Sequence, residues 1–418
     1  MQLPNCRIML RSTVKIPVFF FFMFILSDCI DPYSPELGNY ESLLVVEGLV
    51  TDSDSPPIVR LTRTFQSVDS LPGEVHDAIV YITDENNART DLQYSGSGIY
   101  LSDLSSAFKG IAGKTYTLHI TTADGRKYLS EPYTMLPAPG IDSVFYEREE
   151  ILDEKTGVSQ AGIRISLSSD KDADENGFLR WEYEETWKFR LPSLKYYEYI
   201  SDTEIIELED VREFCWKMGK SNEILINPGI PGVNYSQNVP LLFIAPEASD
   251  RLTVRYSIKV NQFSISSEEY EFWNNLRKIN EAGGNIYDTQ PYSVISNIYN
   301  VDDPDEKVLG YFKVSAVSEM RIYINPDELK DMELPGYKYG CNEFVVSPEN
   351  YPPSHELGDW LTWDELYEMF MSARGLVFVR PVFIGQTEEL SRLVFAPEEC
   401  SDCALSGSID PPDFWVDQ

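Results

Sequence analysis

Leu43-Leu44-Val45-Val46-Glu47-Gly48-Leu49-Val50-Thr51-Asp52 decides the fold class. A Val- and Leu-rich run of this length, closed by polar residues, reads as a β-strand and opens a series of them. Runs rich in Val, Ile, Thr and Tyr follow at Ile58 to Thr64, Ala78 to Thr83, Ile99 to Leu101, Thr115 to Thr122 and Lys127 to Tyr133. Their spacing is that of a sandwich. Ala123-Asp124-Gly125-Arg126 supplies a hairpin turn between the last two, with Gly where positive φ is cheapest. Residues 44–140 are therefore expected to form a β-sandwich of prealbumin or immunoglobulin type, ending at the Leu136-Pro137-Ala138-Pro139-Gly140 linker.

Beyond the linker, residues 141–340 read as a second, larger β-rich domain, with Gly162 to Leu167, Phe178 to Arg190, Leu252 to Phe263 and Val308 to Ile324 as its clearest runs. A helix at about 266–282 interrupts it. Ser266 is its N-cap with Glu269 three residues on, Tyr270, Phe272, Trp273, Leu276 and Ile279 give an apolar face, and Gly283-Gly284 stops it. Residues 341–418 carry a second capping box, Thr362 and Glu365, ahead of Leu366, Tyr367 and Phe370, then a strand from Leu376 to Ile384. The Cys-containing tail is expected to pack on the second domain through cross-links or docking of Phe414 and Trp415. The expected fold is mainly β: two sandwich-like domains with inserted short helices.

Upstream, Arg7, Arg11 and Lys15 precede an apolar run from Ile16 to Leu26 and then Ser27-Asp28-Cys29. Eleven apolar residues at about 1.5 Å each cannot cross a hydrocarbon core of roughly 30 Å as a helix. The layout is that of a secretory signal over residues 1–28, with Cys29 placed to take a lipid. Asp28 departs from the Gly, Ala or Ser usual before a lipidated Cys, which leaves an ordinary signal peptide or an uncleaved anchor as alternatives. Residues 29–43 would be the lipidated Cys and a tether, extended by Pro32, Pro35 and Gly38. The expected location is the outer membrane, lipid-anchored, at the cell surface or on the periplasmic face.

Removing residues 1–28 takes away three basic groups and one acidic group, leaving 31 Lys and Arg against 67 Asp and Glu, a net charge of −36. Such a body repels nucleic acid and anionic lipid headgroups, so no nucleic-acid partner is expected.

Four cysteines remain after the anchor: Cys215, Cys341, Cys400 and Cys403. They allow three disulfide pairings; Cys400-x-x-Cys403 has half the spacing of a zinc site, but the other two cysteines are isolated. A direct Cys400–Cys403 bridge would close a small strained loop, so each is expected to bond to a distant cysteine, Cys215 or Cys341. Asp170, Asp172 and Asp174 alternate as calcium ligands do, but Glu175 and Trp181 stand where an EF-hand needs Gly and Glu, so a solvated hairpin tip is the reading. Trp181, Tyr183, Trp187 and Phe189 share odd parity, which puts them on one strand face, the core. Tyr196, Tyr197 and Tyr199 follow Pro192 and are a candidate binding patch. His76, His119 and His355 have no metal-ligand spacing, and no nucleophile elbow or phosphate loop is present, so no catalytic set and no cofactor is expected.

Four stretches resemble one family: Leu43 to Asp52, Tyr256 to Trp273, Gly310-Tyr311-Phe312, and Cys400-Ser401-Asp402-Cys403 through Pro412-Asp413-Phe414-Trp415. It is the Bacteroidota family of exported lipoproteins named domain of unknown function 4249. The resemblance implies an outer-membrane lipoprotein, often encoded beside a TonB-dependent receptor, with no established activity. The expectation is a non-catalytic accessory or binding partner of such a receptor in nutrient uptake, its ligand unknown. A surface structural or adhesive module is the alternative, and a hydrolase a third.

Overall fold

The computed structural model describes residues 42–64, 73–103, 108–152, 157–169, 178–228, 238–281, 296–338, 340–351, 360–372, 375–385 and 389–417. Among them the protein is mainly β, with a few short helices. The signal segment, Cys29, the tether as far as Glu41, His355 and the Asp170, Asp172 and Asp174 loop lie outside the described residues.

The first sheet runs Ile298–Asn300, Lys127–Ser130, Thr115–Thr121, Ile79–Asp84, Arg89–Gly96, Ile99–Ser102, Ile58–Arg63, Leu44–Thr51, Val308–Ser315. Neighbours are antiparallel except the last two, which are parallel, with Leu44 opposite Val308 and Thr51 opposite Ser315. The sheet wraps round Leu44, Val46, Leu61, Ile82, Leu118 and Phe312 until its end strands meet. There the Asn297 carboxamide replaces a backbone ladder: Nδ2 donates to the Phe312 carbonyl at 2.8 Å and Oδ1 accepts from the Phe312 N–H at 2.8 Å. The polar strand Arg89–Gly96 carries no apolar alternation and was not among the expected runs.

The parallel pair approaches too closely for side chains at two positions. Gly310 holds φ +91°, and a Cβ there would lie 2.0 Å from the Val46 carbonyl oxygen. A Cβ on Gly48 would lie 2.6 Å from the Phe312 ring. Two glycines thus let a strand from late in the chain seat against the first.

Here the structure departs from the expected division at residue 140. Val308 to Ile324 is not one run of a second domain. Val308–Ser315 completes the first sheet and Val317–Ile324 joins the second, with buried Ala316 at the changeover and the Asp52 carboxylate accepting from the Val317 N–H at 2.8 Å. Hydrophobic periodicity identifies a strand but not its partner, which is why the break is invisible in sequence.

The second sandwich packs Ile141–Leu152, Ser159–Ser169 and Val239–Ile244 against Phe214–Lys220, Phe178–Arg190, Arg255–Ser264 and Val317–Ile324. Trp181, Tyr183, Trp187 and Phe189 all enter this core, as their shared parity requires. Buried Gln262 fixes the linker: its Oε1 accepts from Trp181 Nε1 at 2.8 Å and its Nε2 donates to the Pro139 carbonyl at 2.9 Å.

The capping boxes both form helices. In α1, Ser267–Glu281, the Ser266 Oγ accepts from the Glu269 N–H at 3.2 Å. In α2, Trp363–Met371, the Thr362 Oγ1 accepts from the Glu365 N–H at 3.2 Å and Glu365 returns the bond at 2.9 Å. The C-terminal segment has an apolar cluster of its own instead of merely coating the second domain. Leu366 of α2 joins Phe378, Leu393 and Phe395, together with Tyr199 from a hairpin, Tyr197–Ser201 and Glu204–Glu207, lent by the second region.

Disulfides join Cys341 to Cys400 and Cys215 to Cys403, so each tail cysteine bonds a distant one and the zinc alternative falls away. The tail then lies across the outer face of the second sandwich. Ser408 exchanges both backbone hydrogen bonds with Trp216, at 2.9 and 2.7 Å. Arg321 lies 3.7 Å over the Phe414 ring, and Trp415 meets Tyr323 edge-on at 5.8 Å.

Replacing Asn297 strands a donor and an acceptor on Phe312, each worth about 1–3 kcal/mol when unsatisfied. Asn297→Ala should therefore lower the unfolding free energy by about 2–4 kcal/mol in urea denaturation. Asn297→Asp, which keeps the acceptor, should lose less.

Candidate functional site

Helix α1 is amphipathic, and its apolar stripe has one place to go. Phe272 is buried, and with Trp273 and Leu276 it packs on the outward side of Val308–Ser315, where the Phe272 and Tyr311 rings lie 4.8 Å apart. The helix does not close fully onto the sheet. A cleft of about 470 Å³ remains, walled by Phe272, Trp273, Leu276, Leu309 and Tyr311, with Glu47 and Lys313 as its two charged groups. Its size and apolar walls are those of a small-molecule site.

A buried polar cluster holds the helix in place. The Glu269 carboxylate is fully buried and accepts from the Tyr133 hydroxyl at 3.0 Å and from Trp273 Nε1 at 3.1 Å, with Arg180 Nε at 3.9 Å. Burial pushes its pKa up, against the opposing pull of Arg180, Trp273 and Tyr133. The Arg180 side chain is 4 % exposed. It stacks over Phe263 and Trp273 at 4.6 and 4.8 Å, and pairs with Glu182. Tyr133 comes from the first sheet, Arg180 from the second sandwich and Glu269 from α1, so one carboxylate joins three parts of the fold.

At the cleft wall, Lys313 is half-buried, its Nζ 5.4 Å from the Trp273 ring centre. Among the described residues its ammonium makes no hydrogen bond or ion pair. Burial, and then the nearby Arg180 charge, push its pKa down, against the opposing pull of Glu182, Glu269 and Glu47. Glu47 is exposed and is likewise unpaired among the described residues. The arrangement can hold an apolar body against aromatic walls and meet one charged group on it.

Tyr196, Tyr197 and Tyr199 do not form one exposed patch. Tyr199 is buried in the third cluster, stacked on Tyr367 at 4.4 Å with its hydroxyl on Asp364 at 2.6 Å. Tyr197 packs against the same cluster. Tyr196 lines a cavity of about 570 Å³ with Arg190, Cys341, Glu343 and Arg380. The hairpin turns side chains inward because they complete a core its own two short strands cannot supply. His119 stacks on Tyr81 at 4.5 Å and bonds Thr83 at 2.9 Å, a structural role. Among the described residues no three or more His, Cys, Asp or Glu side chains converge as a metal set.

Glu47 and Lys313 were missed in sequence because a charged residue within a strand reads as a solvated face. The usable signal was elsewhere: three of the four stretches that carry the family resemblance, Leu43 to Asp52, Tyr256 to Trp273 and Gly310 to Phe312, meet at this cleft.

The raised pKa of Glu269 has a stability signature. In the unfolded chain its carboxyl ionises near 4.5, and in the folded protein it ionises at a higher pH. Its contribution is therefore fully present below 4.5 and is lost as pH rises through the folded value. Glu269→Gln should flatten the stability profile in that window, measured by urea denaturation across pH 4 to 8. An unchanged profile would place the slope in other groups.

Residues 30–321 match the family described as Domain of unknown function (DUF4249). No curated protein matches the chain. The matched span takes in nearly all of both sandwiches and every wall of the cleft, and the chain belongs to the DUF4249 family.

Proposed function

We propose that this protein is an exported, lipid-anchored binding protein that works without catalysis beside a TonB-dependent receptor of the outer membrane in nutrient uptake. The observation that carries the binding reading is the aromatic-walled cleft under α1, with Lys313 and Glu47 as its convergent charged groups. Two disulfides suit an oxidising compartment outside the cytoplasm. The short apolar run ending at Cys29 supplies the anchor, and the tether to Tyr40 would let the body reach roughly 35 Å from the membrane if fully extended. Confinement to one membrane raises effective concentration, so a weak interface with the receptor suffices.

The exposed side chains of Ile200 and Ile206 on the hairpin, and of Phe344 and Val345 on an edge strand, favour a second reading, a structural or adhesive surface module.

Affinity-tagged protein, gently solubilised from its native envelope after mild cross-linking, should bring down a TonB-dependent receptor. Cys29→Ala should move the protein to the soluble exported fraction and reduce that recovery. Intact protein recovered alone, with the receptor shown to be expressed, would favour the adhesive module; a Cys29→Ala chain that stays membrane-bound would mark residues 1–28 as an uncleaved anchor.

A further inference from the structure

The cleft under α1 holds its two charges differently. Glu47 sits exposed on Leu44–Thr51, where water solvates it. Lys313 is half-buried beside Trp273, and no described residue gives it a hydrogen bond or ion pair. The Glu182, Glu269 and Glu47 charges act on this ammonium from a distance, but none bonds it, and an anion delivered to it would supply the direct contact that partial desolvation leaves missing. The carboxylates nearest Lys313 are engaged elsewhere: Glu182 pairs with Arg180, and Glu269 receives Tyr133 and Trp273. Arg180 Nη2, behind the Trp273 ring, is also buried without a hydrogen-bond partner, although the charge of the guanidinium is matched by Glu182 and Glu269. The rest of the wall is apolar and aromatic, a surface that stacks an aromatic ring or an alkyl chain.

We propose that this cleft binds a small amphipathic carboxylate, its apolar body between Phe272, Leu276 and Tyr311 and its carboxylate on the Lys313 ammonium. The ligand class deepens the binding-protein reading above and rests on it. Among the described residues Lys313 is the one cationic group lining the cleft, and it therefore takes the carboxylate. The site selects on charge at one end and on apolar bulk at the other, so two probes of the same shape separate the two contributions.

The test compares 4-phenylbutyrate with 4-phenylbutan-1-ol by titration calorimetry, on the full chain held in amphipol, with empty amphipol as the blank. Wild type should bind the carboxylate about tenfold or more tighter than the alcohol. Lys313→Met should bring the two within about twofold of each other while leaving the alcohol unchanged. Leu276→Trp, which fills the slot, should weaken both about tenfold or more. Glu47→Gln should leave the carboxylate unchanged or tighten it. Failure of wild type to bind either probe, or equal binding of both, overturns the proposal without recourse to any variant. Weakening of the carboxylate by Glu47→Gln overturns the placement of its charge on Lys313. The receptor pull-down on wild type keeps the two readings apart: recovered receptor with no probe binding would retain the partner and remove the ligand.

Discussion

The parallel ladder between Leu44–Thr51 and Val308–Ser315 is the constraint on which the remaining architecture depends. A parallel partner cannot come from a hairpin but needs a crossover, and here the crossover includes all the strands of the second sandwich except Val317–Ile324. On the return α1 comes before the strand it covers, with Ile298–Asn300 between them. The return also puts Ala316 at the point where one strand ends in the first sheet and the next begins in the second. Gly48 and Gly310 make the approach sterically possible, and Asn297 closes the ring from the far side. The linker at Pro139, gripped by Gln262, then has little freedom, because the chain crosses between the two sandwiches in both directions.

The cleft follows from the same constraint. Helix α1 must bury Phe272 on the strand below it, yet its position is fixed by Glu269 reaching Tyr133 and by Arg180 reaching across from the second sandwich. A helix held by a polar cluster at one end cannot also settle onto the sheet along its whole length. The space left over carries Lys313. Burying Glu269 and Arg180 together is a poor source of stability, since desolvation offsets much of their attraction. What such a cluster does supply is a defined angle for the helix, and hence a defined width for the slot.

Much of the fold was legible in local chemistry. Thr362 with Glu365 and Ser266 with Glu269 announced both longer helices, the parity of Trp181 to Phe189 announced a core face, and Asp124-Gly125 announced a hairpin. These are properties of a few adjacent residues. Partnership is not: nothing in Val308 to Ile324 says that its two halves belong to different sheets, and nothing in Tyr197 to Glu207 says that the hairpin will complete a core built mainly from residues after 340. The candidate site was least legible. Its charged residues sit singly in strands, and their meaning comes only from a helix folded over them.

The closing role of Val308–Ser315 has a consequence in time. At a synthesis rate of about 5–20 residues per second, the parallel neighbour of the first strand arrives tens of seconds after that strand. Until then Leu44–Thr51 presents a row of unpaired amides and carbonyls along one side, the kind of edge that pairs with whatever strand comes near. Whatever accompanies the growing chain must shield that edge for the whole interval, and the exposed Glu47 on it is the single charge that discourages an uninvited strand.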